Sequence, residues 1–561
     1  MTVYYIGLSA SGHDPALAVV GPDGRVVFAE STERFLQDKR AWGISPDHFG
    51  HLSPVVQEII NNDPKAEFRI ATTWKSIKAD LPVNISDVLL PAHIGEWIRS
   101  LQAQVRRNLG IHCRFVCNGR IAGDVMSFDH HLCHAANAVY SSPFQDGLCL
   151  VLDGEGEVGS ASLFSLTNGK LKRIWRSWGP GSMGTFYTWL TQLCGFSPVS
   201  GEEWKVMGLA AFGKPEDDLV EQMSRLFNIK EGRILLADPE VLQEVNNAMQ
   251  PLTRQPDAPI MQSANLAASG QLAYGKYVDQ ILSDITDSGV DNLILTGGCA
   301  LNSSYNGSIL SHHSFKQLHI PSAPADDGNA LGAALLAWSQ ENEGQPFPCK
   351  QTDPFLGSKI NLNHLAALQA HTGLRCTTLA TDDTDLIAEL LAQGIILGVM
   401  RGRAEFGPRA LGNRSILADP RIEGMKDRVN KIVKGREGYR PFAPIILQEC
   451  VEEWFENPQP SPYMSFTLKW KKEKQPLVPA VVHADGTGRL QTVDHSTFPW
   501  LYDLVKSFKE LTNIPVLLNT SFNVMGKPIV HSVHDALSVL MSTGLDAILI
   551  ETTLIEKSPK K

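Results

Sequence analysis

Apolar runs and short polar breaks alternate from the first residues onward. Val3–Leu8 is apolar, Ser9-Ala10-Ser11-Gly12 interrupts it, Ala16–Val20 resumes it, Pro22-Asp23-Gly24 turns the chain, and Val26–Glu30 returns. Two β-rich runs joined by a Pro-Asp-Gly turn predict a hairpin. The same order recurs at Gly147–Leu152, Asp153-Gly154-Glu155-Gly156, Ser160–Ser165, Asn168-Gly169 and Leu171–Trp175. A strand, a polar loop and a hairpin thus occur twice, which predicts an internal duplication. Leu293–Thr296 before Gly297-Gly298 reads as a buried parallel strand, and Asp326-Asp327-Gly328 leads into a helix over Leu331–Ser339.

The stretch Glu341–Phe355 is polar, lacks periodicity and holds Gly344, Pro346, Pro348 and Pro354. A domain boundary is placed there, dividing the chain into 1–350 and 351–561. Beyond it, Asp385–Leu391 predicts a helix, and Gly394–Met400 and Pro515–Leu518 predict strands. Strands interleaved with helices in both halves give an α/β fold class.

Composition changes this picture only by exclusion. The 561 residues are 43% hydrophobic and 20% charged, which suits a globular protein and excludes collagen-like, coiled-coil and disordered classes. No apolar run approaches the roughly 20 residues of a membrane-spanning helix, and the N-terminus has no basic n-region, so neither a membrane span nor a signal peptide is expected. A cytoplasmic location follows. None of the 9 cysteines sits in a CxxC pair, which predicts free thiols.

The net charge of −10 speaks against nucleic acid or an anionic membrane as the main partner. Residues 401–440 reverse it locally, with eleven Lys and Arg against five acids, a balance of 11 − 5 = +6. Part of that window, Met425–Glu437, alternates in charge like a solvated helix face. The glycine-rich loop Arg401–Arg409 before it does not, and basic residues on a tight loop suggest a polyanion pocket.

Three constellations could carry chemistry. In Asp129-His130-His131-Leu132-Cys133-His134, a helix would place His130 and His134 one turn apart on one face, where they can chelate a metal. The spacing resembles HExxH, but His131 stands where a general-base Glu is needed, which disfavours zinc peptidase chemistry. A partly buried histidine cluster is the competing structural reading. Asp153 and Asp327, acids at element ends, would complete a set suited to iron, manganese or zinc. The second is His13, on the loop after the first strand, where a base could meet a hydroxyl; a lone loop histidine is as readily structural. The third is Arg409, Lys434, Arg440, Arg489 and Lys527 with Asn519 and Ser521, groups that match phosphate oxygens. No GxxxxGK[ST] or Rossmann fingerprint accompanies them.

Taken together these residues resemble the NodU/CmcH carbamoyltransferases. The resemblance rests on His13-Asp14, on Glu33-Arg34-Phe35 with Lys39, and on His130-His131 and His134-Ala135-Ala136. It continues through Glu203-Trp204-Lys205, Gly297-Gly298-Cys299-Ala300-Leu301-Asn302 and Asp326-Asp327-Gly328. In the second half it rests on Glu405–Ser415, Arg436-Glu437 with Arg440-Pro441-Phe442-Ala443-Pro444, Asp485–Gln491 and Asn519–Asn523. It implies an N-terminal actin-like duplicated domain and a C-terminal YrdC-like domain. The implied activity is an ATP-dependent O-carbamoyltransferase. One domain would form carbamoyladenylate from carbamoyl phosphate and ATP, with Mg2+; the other would pass the carbamoyl group to a hydroxyl of a small natural product.

By the same resemblance His130, His134, Asp153 and Asp327 would hold Fe2+ or another divalent metal, and His13 would be the catalytic base. Lys39 would face the nucleotide and acceptor site. Arg409, Lys434, Arg440, Arg489, Asn519 and Ser521 would bind carbamoyl phosphate and ATP, with Arg401, Arg403 and Arg414 able to share the phosphate load. Asp327 is chosen over Asp326 because it begins the helix-forming run. The rival readings are a threonylcarbamoyl-type tRNA-modifying enzyme, which the acidic charge disfavours, and a non-catalytic nucleotide-binding module. A homodimer is kept as an option.

Overall fold

Two sheets of one topology are built from the first 352 residues. The computed structural model describes residues 2–75, 92–286, 289–343, 345, 347, 353–371, 373–380 and 383–557. Its first sheet contains β1 (Thr2–Leu8), β2 (Ala16–Val20), β3 (Val26–Ser31), β4 (Ala66–Thr73) and β5 (Met126–Phe128) in the order β3-β2-β1-β4-β5. The antiparallel meander β1-β2-β3 is extended by β4 and β5, both parallel to β1. The second sheet repeats this with β6 (Gly147–Leu152), β7 (Ala161–Thr167) and β8 (Lys170–Arg176). After a separate hairpin of β9 (Phe227–Lys230) and β10 (Arg233–Leu236), it adds β11 (Asn292–Thr296) and β12 (Gln317–His319). The order β12-β11-β6-β7-β8 carries the same pattern of parallel and antiparallel pairs. The recurrence read from the sequence is therefore a repeated fold, with the loops after β1 and after β6 in equivalent places.

Two helices bring the functional side chains of this unit together. Asp129 caps the helix His130–Ser141 by accepting from the Leu132 amide at 3.0 Å, and Arg173 and Arg176 fix the cap. The helix Gly328–Glu341 packs against β1 and against His130–Ser141. Gly332 permits that approach, since a Cβ there would lie 1.9 Å from the Cys133 carbonyl oxygen. Gly297, with φ +91°, turns the chain sharply after β11.

The second unit comprises residues 353–561, together with 37–39. The linker residues Gly344, Pro346 and Pro348 lie outside the described residues. One mixed sheet runs through this unit, formed by β13 (Arg375–Thr378), β14 (Leu397–Met400), β15 (Arg414–Ala418), β16 (Ala443–Leu447), β17 (Phe466–Lys469), β18 (Thr487–Val493), β19 (Val516–Ser521), β20 (Ala547–Ile550) and β21 (Thr553–Glu556). Their order is β13-β21-β20-β14-β15-β19-β16-β18-β17. Helices Thr384–Ala392 and Pro499–Thr512 pack on one another beside it.

The helix expected over Met425–Glu437 is shorter than its charge pattern suggests. Met425–Arg428 runs into a wide turn over Val429–Lys434, which ends at Gly435 with φ +61°. Lys434 is buried rather than solvated, so the window is not a plain surface helix. Among the described residues no helix is long and apolar enough to cross a membrane, and eight cysteines carry free thiols.

Candidate functional site

The first unit concentrates four buried ligand-type groups at the ends of its central elements. His130 and His134 share one face of their helix, Asp153 follows β6, and Asp326 precedes Gly328–Glu341. The His130 Nε2 lies 3.1 Å from Asp153 Oδ2 and 3.4 Å from Asp326 Oδ1. The His134 Nε2 lies 3.3 Å and 3.4 Å from the same two oxygens. Donor atoms about 2.1 Å from a common centre stand about 3.0 Å apart at octahedral and about 3.4 Å apart at tetrahedral angles, so this spacing is that of a coordination shell. Two further observations fit a cation. His134 donates Nδ1–H to the Pro324 carbonyl at 3.1 Å, which leaves Nε2 a lone pair aimed inward, and that buried Nε2 has no hydrogen-bond partner. The Gly298 amide donates to Asp153 Oδ1 at 2.9 Å, holding the carboxylate in place. These four residues could hold a metal ion.

Electrostatics within the cluster run in matched directions. Burial disfavours charge on every member, yet the histidines hold Asp153 and Asp326 well below the usual carboxylate range, while the two carboxylates hold His130 and His134 above the usual imidazole range. Asp327 does not join them, which corrects the expectation for that residue. Its Oδ1 accepts from the Gly328 amide at 3.0 Å and its Oδ2 from Ser31 at 3.1 Å. Burial, with Asp14 adding, pushes its carboxyl up to about 7. The helix start thus takes Asp327 as its own cap and turns Asp326 toward the histidines.

His13 stands at the edge of this cluster, with Nε2 4.0 Å from Asp326 Oδ2. Its Nδ1 is 2.9 Å from Asp14 Oδ2, and Arg40 donates to that same oxygen at 2.9 Å. Burial resists ionisation of Asp14, but Arg40 and His13 bring its carboxyl down to about 2. Asp14 reaches this position with φ +48°, a left-handed conformation that Asp tolerates. The arrangement orients one imidazole nitrogen and leaves the other facing the cluster. Lys39, expected at an acceptor site, is exposed in the turn after the helix Thr32–Leu36.

In the second unit a basic cluster forms from separate strands and loops. Arg409 lies on the loop between β14 and β15, Arg489 on β18, and Arg436 and Arg440 on the segment before β16. Burial brings Arg409 down to about 10 and Arg436 down to about 9, Arg440 adding to the second. Arg489 is held well below its ordinary value by burial and then by Arg409 and Arg436. Among the described residues neither Arg409 nor Arg489 has a carboxylate partner. Arg440 pairs with Glu437 at 3.3 Å, and the close, desolvated cations Arg409 and Arg489, which lack such a partner, make an anion site.

Other predicted members build the frame. Asn519 donates to the Ala410 carbonyl at 3.1 Å and to Gln491 at 2.9 Å, while Gln491 donates to the Leu411 carbonyl at 2.9 Å, which pins the loop carrying Arg409. Lys434 donates to the Ser521 carbonyl at 2.6 Å, to Ser521 Oγ at 3.2 Å and to the Asn523 carbonyl at 2.9 Å.

Arg401, Arg403 and Arg414 are engaged with backbone carbonyls. Arg414, fully buried, donates to the carbonyls of Arg401, Asn413, Ser358 and Gly402; Arg403 to those of Gly357 and Leu356; Arg401 to that of Glu551 while covering Trp500 at 4.5 Å. Arg436, quoted in the sequence only as part of the Arg436-Glu437 motif, was given no site role there, and His483 beside Arg489 and Arg40 beside Asp14 were not singled out.

Fold and site together define a two-unit α/β enzyme with a histidine–carboxylate centre in one unit and an anion site in the other. Residues 74–335 match the family described as Carbamoyltransferase N-terminus and residues 388–557 match Carbamoyltransferase C-terminus; the chain belongs to the carbamoyltransferase family. An uncharacterized protein of Synechocystis sp. is 32% identical over 99% of this chain and 97% of its own length. Nodulation protein NolNO of Sinorhizobium fredii is 37% identical over 82% of this chain and 69% of its own, and Nodulation protein U of that organism 28% over 92% and 93%. Among solved structures, full-length HypF in a phosphate- and nucleotide-bound form is similar over 62% of this chain and 47% of its own, at 13% identity and a TM-score of 0.37. The protein is a carbamoyltransferase.

Proposed function

We propose that this carbamoyltransferase is ATP-dependent and works in two steps. The second unit, read as YrdC-like, hydrolyses carbamoyl phosphate with one water to carbamate and phosphate, and the carbamate oxygen then attacks the α-phosphorus of ATP to give carbamoyladenylate and pyrophosphate. The first unit, read as actin-like, passes the carbamoyl group to a hydroxyl of a small natural product. The observation that carries this reading is the cluster of Arg409, Arg436, Arg440 and Arg489, whose mutual repulsion is relieved by a polyanion such as a nucleotide triphosphate or an acyl phosphate.

In the transfer step His13 takes the acceptor hydroxyl proton at Nε2, with Asp14 accepting from Nδ1 and stabilising the imidazolium that forms. Arg40 keeps Asp14 ionised throughout. His130, His134, Asp153 and Asp326 would hold a divalent metal, proposed as Fe2+, which when bound would supply positive charge to offset negative charge on the phosphate of the adenylate. On the second unit, Arg409 and Arg489 bind phosphate oxygens, while Asn519 and Gln491 keep their loop in position.

The test is carbamoyl-phosphate-dependent pyrophosphate release from ATP, measured without an acceptor and then with a panel of hydroxylated compounds. Release without acceptor, stimulated by one compound that becomes carbamoylated, is expected. No release under any condition with divalent metal present rejects the adenylation step.

A further inference from the structure

β4 ends at Thr73, and the next residue breaks a backbone rule. Trp74 has φ +67°, a left-handed conformation that bulky side chains rarely adopt. Such conformations persist only where the surroundings over-determine them, and they cluster at functional sites. Four ties do so here. The Ala10 amide donates to Thr73 Oγ1 at 3.2 Å, the Trp74 indole N–H donates to Ser11 Oγ at 3.1 Å, Arg106 donates to the Trp74 carbonyl at 3.1 Å, and the Lys75 amide donates to Glu157 Oε1 at 2.9 Å. The same Glu157 oxygen accepts from the His130 amide at 2.9 Å. The strained turn is thus fastened both to the loop carrying His13 and to the helix start carrying His130.

The outcome of that strain is a specific ring contact. The Trp74 indole stacks on the His130 imidazole at 4.2 Å between centroids and 28° between planes, while His134 meets His130 edge-on at 4.8 Å and 86°. An imidazole ligand binds through an in-plane lone pair, so the plane of the ring decides where Nε2 aims. A relaxed backbone at residue 74 would carry the indole off that ring.

We propose that Trp74 is a positioning residue of the histidine–carboxylate centre. Its indole fixes the plane of His130, and through Ser11 it ties that plane to the loop bearing His13. This rests on the metal reading of His130, His134, Asp153 and Asp326.

The test uses the full chain stripped with chelator and titrated with Co2+, followed by the visible cobalt absorption and by tryptophan fluorescence. Trp74→Gly removes the ring at a position where glycine is unstrained. It is expected to weaken cobalt binding about 10–100-fold, the range typical for outer-shell partners of metal ligands, and to remove part of the cobalt-dependent quenching. Trp74→Phe, which keeps a ring on His130, is expected to recover most of the affinity. Equal affinity and an equal cobalt spectrum in wild type and Trp74→Gly overturn the inference while leaving the metal centre standing. A wild-type protein that takes up no cobalt overturns the metal reading and this inference with it. If Trp74→Gly does not fold, Ser11→Ala, which frees the indole, decides by the same spectrum: a shifted band supports the role and an unchanged one rejects it.

Discussion

Asp326 and Asp327 are neighbours in sequence and face opposite ways. Asp326 Oδ1 lies 3.4 Å from Nε2 of both His130 and His134, whereas Asp327 accepts from Ser31 and from the first amide of its own helix. The partners set opposite ionisation. Burial penalises both carboxylates, but the neighbouring imidazoles hold Asp326 well below its ordinary value, whereas at Asp327 the charges of Asp14 and Glu33 push the same way as burial and the carboxyl rises to about 7.

Asp326→Asn is therefore expected to lower divalent-metal content strongly, and Asp327→Asn to leave most of it. An Asn at 327 keeps one oxygen to accept from the Gly328 amide and can donate its NH2 to the Ser31 hydroxyl, so that variant keeps the cap. Metal stoichiometry of the purified variants, by elemental analysis, decides. Equal loss in both would place the ligand role on the pair rather than on Asp326.

The proposed division of labour makes His13 and Arg489 separable. His13→Ala should reduce carbamoyl transfer by roughly 10²–10⁴-fold, the usual worth of a general base, while leaving pyrophosphate release intact. Arg489→Ala should stop pyrophosphate release yet leave the first unit able to use supplied carbamoyladenylate. Loss of pyrophosphate release in His13→Ala contradicts the assignment.

Where a feature depends on local periodicity or on a turn signal, the sequence was enough to find it. The hairpins β1–β3 and β6–β8 follow from apolar runs broken by Pro22-Asp23-Gly24 and Asn168-Gly169, and His130 and His134 follow from the helical spacing of four. The choice between Asp326 and Asp327 was not legible, because a one-residue difference in which side chain caps a helix depends on the backbone angles at its start. Arg40 and Trp74 escaped notice because each acts through partners far away in sequence, Asp14 in one case and His130 in the other. Arg414 misled for the reverse reason. A run rich in arginine does not reveal which guanidinium is spent on backbone carbonyls.

That distinction can be measured by contrasting Arg409 with Arg414. Arg414→Lys loses the planar fork that serves four carbonyls in a fully buried place, and should cost roughly 3 kcal/mol of stability. Arg409→Lys should be nearly neutral in Tm, since Arg409 makes no hydrogen bond among the described residues, but should raise the half-saturating concentration of ATP or carbamoyl phosphate by roughly tenfold. Thermal unfolding and pyrophosphate release on both variants test it; the reversed pattern would sink the assignment of Arg409 to the anion site.

His483 gives the second unit a pH dependence of definite sign. Burial first, then Arg489 and Lys426 with Asp485 opposing, push this imidazole down to about 4. Between that value and the ordinary imidazole pKa the unfolded chain binds a proton that the folded chain does not, so stability falls as pH is lowered through this window. The contribution is fully present above pH about 6.5 and amounts to an order of 3 kcal/mol across the interval. His483→Gln, which cannot titrate, should flatten the dependence over this range. Urea unfolding of wild type and His483→Gln at pH 4.5 and pH 7, compared as differences between the two pH values, checks it. An equally steep loss in the variant would mean that other groups carry the acid sensitivity and that His483 is not held neutral by the basic cluster.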